Sequence, residues 1–138
     1  MVRGSCLCGG IQFEVDSVPV MHNCHCSKCR KAHGAAFRTS ATIPSDQFRF
    51  LKGEDLVRFY RPSPDGYCAP FCRVCGSTAP LVSAERSLVF VPAGLFDDDP
   101  GVQPKFHIFV GSKAPWWVIN DEAPQFAEWL PGYGPDDR

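Results

Sequence analysis

With 138 residues, 44% of them hydrophobic, and a formal charge of −1, the chain has the length of one domain and can bury roughly two-thirds of its unfolded surface without covalent help. The near-neutral balance gives no general pull toward nucleic acid or anionic membrane, whose partners usually show a strongly basic face, and no segment approaches transmembrane length. The eight cysteines therefore do not compensate for a missing core.

The N-terminal stretch MVRGSCLCGG lacks the apolar run of a signal peptide, so the sequence predicts a cytoplasmic protein. Thiols stay reduced in that compartment, and clustered cysteines there bind metal or do chemistry rather than form bridges. The first of them are Cys6-Leu7-Cys8. In an extended segment residues two apart share a face, so this spacing sets two sulfurs side by side.

The run IQFEV (11–15) reads as the first strand, and Cys24-His25-Cys26, with Cys29 three residues on, follows it. A short helical turn is expected after Cys26, and His25, between two ligands, is expected to face away from them. His22 and His33 flank the trio closely enough to serve as ligands or proton carriers, although a hydrogen-bonded structural role is the commoner fate of such residues. Lys28, Arg30 and Lys31 place positive charge beside it. A second helical turn is expected near Ser45 to Phe48, and FRFL (48–51) and LVRFY (56–60) read as strands.

Cys68 stands alone, and Cys72-Arg73-Val74-Cys75-Gly76 has the form of a chain turning tightly around a metal, with a glycine where positive φ is needed. SLVFV (87–91) and FHIFV (106–110) complete the strands, and His107 within the latter reads as structural. The acidic turn at Asp97 to Asp99 has too few and too local ligands for calcium. Trp116 and Trp117 are candidate pocket walls or a hydrophobic sheet edge, and QFAEWL (125–130) is expected to form a last helical turn. Together these elements predict one mainly β, antiparallel domain over residues 2–130, with 131–138 as a loose tail.

Thiolate is a soft ligand suited to zinc, and four thiolates make a closed tetrahedral site. Cys6, Cys8, Cys72 and Cys75 add up to such a site, which would clip distant segments together. Cys24, Cys26 and Cys29 offer three sulfurs, the number found in catalytic sites that keep one position open; closure by Cys68 is the alternative. An open three-thiolate zinc is suited to capturing another thiol as its thiolate. If that thiol were glutathione, Lys28, Arg30 and Lys31 would be candidates for its carboxylates, arginine being the better clamp.

The strings GSCLCG (4–9), CHCSKC (24–29), FCRVCGS (71–77), AGLFDDDP (93–100) and HIFVGSKAPW (107–116) together resemble the glutathione-dependent formaldehyde-activating enzyme and centromere protein V family. The resemblance implies a zinc-clipped β-tent of antiparallel sheets and two zinc ions per chain. Cys6, Cys8, Cys72 and Cys75 match the structural ligands, and Cys24, Cys26 and Cys29 match the catalytic-type ligands. Cys68 falls outside the motif. The implied activity is that of a carbon–sulfur lyase condensing glutathione with formaldehyde; a zinc-stabilised binding module and a thiol redox switch are the alternatives. No basic arm precedes the first motif, so nucleic acid is not expected as a partner; nor is a membrane, given the charge balance and the lack of a segment of transmembrane length.

Overall fold

A computed structural model describes residues 1–64 and 66–134. Among the described residues the ten strands are β1 (Val2–Ser5), β2 (Gln12–Val15), β3 (Val20–Cys24), β4 (Arg38–Pro44), β5 (Phe48–Lys52), β6 (Val57–Tyr60), β7 (Ala69–Cys72), β8 (Leu81–Ser83), β9 (Leu88–Pro92) and β10 (Pro104–Ile108). One α-helix, α1 (Ser27–His33), joins β3 to β4. Three sheets result, ordered β1-β2-β5, β10-β3-β4-β9-β8 and β6-β7.

The mainly β, antiparallel expectation is met, and each strand read from β-branched and aromatic runs overlaps a β element, although FHIFV stops as strand at Ile108, where Phe109 turns left-handed and Val110 opens a 3₁₀ turn. The exception in sense is β10, which pairs in parallel with β3, His107 opposite Asn23 and Ile108 opposite Cys24. Such a pair needs a long crossover, here everything from β4 to β9, which no local pattern announces. Ser45–Gln47 forms the expected helical turn, as a 3₁₀ turn.

The QFAEWL segment is a correction. Residues 125–130 form no helix, because their backbone pairs with β10 and its continuation instead. The Phe126 N–H donates to the His107 carbonyl at 2.9 Å, the Phe109 N–H to Glu128 at 2.9 Å, and the Val110 N–H to Phe126 at 3.1 Å. The edge of the five-stranded sheet thus supplies better partners than an isolated helical turn could. The expected tail at 131–138 lies partly outside the described residues.

Three apolar clusters hold the layers together. The largest packs Val2, Phe13 and Val15 of the first sheet against Met21, Ala41, Ile43, Val89 and Val91 of the second. Alternation along each strand points these residues inward. A second cluster, Cys6, Ile11, Cys72 and Ala79, joins the first sheet to the two-stranded one. The third gathers Cys24, Cys29 and Ile108 with Tyr67, Phe106, Phe109, Phe126 and Leu130 around them. Cysteines occur in the second and third clusters only, so the packing already separates two sulfur-bearing sites.

Candidate metal centres and the pocket beside them

All eight cysteines are free thiols, and seven of them gather in the two groups the spacing predicts. The sulfurs of Cys6, Cys8, Cys72 and Cys75 lie within 4.8 Å of one another. Two turns build this group. After Cys8 the chain folds back so that the Ile11 N–H donates to Cys6 Sγ at 3.2 Å and the Gly10 N–H to Cys8 Sγ at 3.4 Å. After Cys75, Gly76 takes φ of +73° and its N–H donates to the Cys72 carbonyl at 2.8 Å. Only glycine enters that region without steric cost.

The Cys6–Cys8 and Cys8–Cys72 sulfur separations are 3.6 and 4.0 Å. A tetrahedral ion with metal–sulfur bonds of about 2.3 Å requires edges of about 3.8 Å. These two separations bracket that edge, and all four sulfurs lie close enough together to hold one ion. The Ser77 N–H lowers the Cys75 thiol to about 6, against the opposing effect of desolvation. The backbone turn thus favours the thiolate form of Cys75.

Cys24, Cys26 and Cys29 form the second group, again within 4.8 Å. Cys24 ends β3, Cys26 caps α1 by accepting the Cys29 N–H at 3.3 Å, and Cys29 lies buried in the first turn of that helix. The helical turn expected after Cys26 is thus what brings the third sulfur onto the other two. Donation from the Cys24 and Cys29 thiols holds the Cys26 sulfur far below the ordinary thiol range, and contacts with Cys26 and Cys29, together with burial, push Cys24 far above it. Three thiols so placed share protons around one thiolate, an arrangement in which a cation can replace the protons. Each group could hold a metal ion. Among the described residues no fourth histidine, cysteine, aspartate or glutamate completes the trio, and Cys68, although buried, belongs to neither group.

A pocket of about 230 Å³ opens nearby, lined in part by His33, Arg38, Tyr67 and Phe71. Tyr67 ties it to the trio by donating its hydroxyl to Cys29 Sγ at 3.7 Å. Burial, together with the neighbouring Cys29, raises the Tyr67 phenol, so it stays protonated. Burial lowers His33 to about 4, with Arg38 adding to the effect, which leaves the imidazole neutral at pH 7. Arg38 donates from Nη2 to Ser40 Oγ at 3.1 Å, and its buried Nε has no partner.

Sequence reasoning did not find Arg38 or Tyr67. Arg38 reaches the site because it stands opposite Cys24 in the β3–β4 register, and Tyr67 because it shares an apolar cluster with Cys24 and Cys29. The expected cations lie elsewhere on α1. Lys28 and Lys31 are exposed and Arg30 is half-buried, and none of the three lines the pocket. Trp116 is 68% exposed, while Trp117 packs edge-on to Phe37 at 5.6 Å; neither tryptophan lines the pocket.

The remaining histidines sort themselves by packing. His22 stacks on Phe106 at 5.2 Å. His25 faces away from the trio into a fully buried position, its Nε2 2.9 Å from Nδ1 of an equally enclosed His107. In the acidic turn, Asp97 accepts from Ser5 Oγ at 2.7 Å and Asp98 from the Arg3 N–H at 2.8 Å. Those carboxylates tie the turn to β1.

Antiparallel sheets with two thiol clusters, one of four and one of three, define a cysteine-rich β protein with two candidate metal centres. Residues 1–112 match the family described as glutathione-dependent formaldehyde-activating enzyme, and the chain belongs to that family. Two curated relatives bear the name "Putative glutathione-dependent formaldehyde-activating enzyme". One, from Halomonas elongata, is 30% identical over 86% of this chain and 81% of its own length. The other, from Podospora anserina, is 30% identical over 78% of this chain, which spans 53% of that longer protein. A crystal structure of a Rhodobacter sphaeroides protein shares the fold, with a TM-score of 0.56 at 24% identity, covering 74% of this chain and 91% of that one.

Proposed function

We propose that the protein is a zinc-dependent carbon–sulfur lyase that joins a small thiol of the glutathione type to formaldehyde or a related electrophile, and reverses that addition. The observation that carries this reading is the trio of cysteine sulfurs with no fourth donor among the described residues, set beside a pocket lined by a cation. The names of the relatives support the choice of thiol and electrophile.

On this reading Cys6, Cys8, Cys72 and Cys75 hold a structural zinc, and Cys24, Cys26 and Cys29 hold a second. That second zinc supplies one thing when bound: a position at which an incoming thiol loses its proton readily, thiolate being the nucleophile. The chain's own residues do the rest. Arg38 is the carboxylate contact, its guanidinium suited to a paired oxygen acceptor. Tyr67, kept protonated, fixes the Cys29 sulfur in place. Lys28, Arg30 and Lys31 are assigned to the far end of a tripeptide-sized thiol that extends past the pocket mouth.

The addition balances without any oxidant or reductant. The thiolate sulfur forms a bond to the carbonyl carbon, the carbonyl π pair moves to oxygen, and that oxygen takes up a proton equivalent to the one the thiol lost, giving the S-hydroxymethyl adduct.

Cobalt substitution tests the open position. Added glutathione should shift the thiolate-to-cobalt absorption of the wild type, and Cys26→Ser should lose one of two bound metals together with lyase activity. A flat response to glutathione would favour a binding module with a closed second site, and a Cys26→Ser protein that kept both metals and its activity would overturn the assignment. Zinc release on mild oxidation would instead point to a redox switch.

A further inference from the structure

Next to the trio, among residues that do not line the pocket, runs a hydrogen-bonded chain of three side chains. His25 Nε2 lies 2.9 Å from His107 Nδ1, and His107 Nε2 lies 3.0 Å from each carboxylate oxygen of Asp121. Both rings are buried, while the Asp121 side chain is 53% exposed. The chain therefore starts at the surface and ends inside the link between Cys24 and Cys26.

Donor and acceptor chemistry fixes its protons. A carboxylate only accepts, so His107 carries a proton on Nε2. A neutral His107 then presents a bare Nδ1, and the 2.9 Å contact is a hydrogen bond only if His25 donates from its own Nε2. His25 Nδ1 is left as a buried lone pair without a partner, its ring packed against Phe37 with centroids 5.0 Å apart. The opposite arrangement, a charged His107 donating to His25, would bury an orphaned N–H on His25. Orphaned donors are rarer than under-used acceptors.

The backbone reinforces the same connection. The His25 N–H donates to the Ile108 carbonyl at 3.0 Å and the His107 N–H to Pro124 at 2.8 Å, while Asp121 Oδ1 also accepts the Ala123 N–H at 3.0 Å. Segment 121–126 is thus tied to β10, and β10 to the link between two sulfurs of the trio.

We propose that Asp121, acting through His107, is a positioning residue that holds His25 in one tautomer and one ring orientation, and so sets the placement of Cys24 and Cys26. The purpose of the chain rests on the reading that the trio binds metal; its proton order does not.

Two measurements on the purified protein test this, the first with zinc bound and the second with the trio freed of zinc while the quartet stays loaded. Long-range proton–nitrogen correlation spectra should show His25 and His107 both protonated on Nε2 alone; a His25 protonated on Nδ1 would overturn the proton order. In cobalt titrations, the wild type minus Cys26→Ser difference spectrum isolates the trio. Asp121→Leu should weaken cobalt binding there by about 10-fold or more, and Asp121→Asn, which still offers His107 an oxygen, should restore it. An Asp121→Leu protein that melts lower but binds cobalt as the wild type does would reduce Asp121 to a structural residue and overturn the proposal. If the wild type showed no trio band at all, the metal reading would fall, and the tautomer spectra would still decide the proton order.

Discussion

Arg38 shows how one side chain acquires a role through its neighbours. It sits opposite Cys24 across β3 and β4, lines the pocket with Tyr67 and His33, and has an Nε that is buried and unpaired. A cation so placed gains most from a ligand that brings a carboxylate, since hydrogen bonds to charged groups are worth about 1.5–3 kcal/mol. Arg38→Gln should therefore raise KM for a carboxylate-bearing thiol by about 10- to 100-fold, with a much smaller effect on kcat. An uncharged thiol such as 2-mercaptoethanol should show little change in KM, and an equal loss for both thiols would contradict the assignment. Nothing in the residues around Arg38 announces this role. The cysteines could be read directly, because their spacing is the geometry; Arg38 and Tyr67 are set by register and packing across segments that are far apart in sequence.

At the level of elements, IQFEV, FRFL, LVRFY, SLVFV and FHIFV became β2, β5, β6, β9 and β10 because β-branched and aromatic side chains fit a half-buried pleated surface. Strand β3, with the sequence VMHNC, and strand β7, with APFC, carry ligands and a proline where such residues would stand, so their strand character comes from their partners. QFAEWL failed as a helix for the same reason in reverse: a sheet edge was waiting for its backbone. The link between β5 and β6 shows how closely elements press on the turn that carries Cys8. Gly53 has φ of +77°, and a Cβ there would come within 2.0 Å of the Gly10 carbonyl oxygen, next to the N–H that serves Cys8. Gly53→Ala should cost about 2–5 kcal/mol from backbone strain and overpacking together. Calorimetry should show it as a Tm lowered by roughly 10 °C or more, whereas Gly94→Ala, with no atom in the way, should melt close to the wild type.

Across the whole molecule, the quartet joins the first sheet to the two-stranded sheet inside a single apolar cluster, so it acts as a fastener between layers. Structural zinc sites contribute about 10–16 kcal/mol of binding energy to folding, comparable with the entire stability of an ordinary domain. Replacing Cys75 by serine, or removing metal with a strong chelator, should therefore unfold the protein or leave it insoluble. A Cys75→Ser protein that stayed soluble with an unchanged thermal transition would refute the structural role. The separation of Cys8 from Cys72 by 64 residues also imposes an order of events during synthesis. At about 5–20 residues per second, the first two thiols of the quartet wait roughly 3–13 s on the ribosome before their partners are made, exposed meanwhile to oxidants and stray metals. The trio, drawn from one short stretch, has all its sulfurs within a second or so. On the zinc reading, the centre that does the chemistry can load on the nascent chain, and the centre that holds the fold together is the one at risk when zinc is scarce.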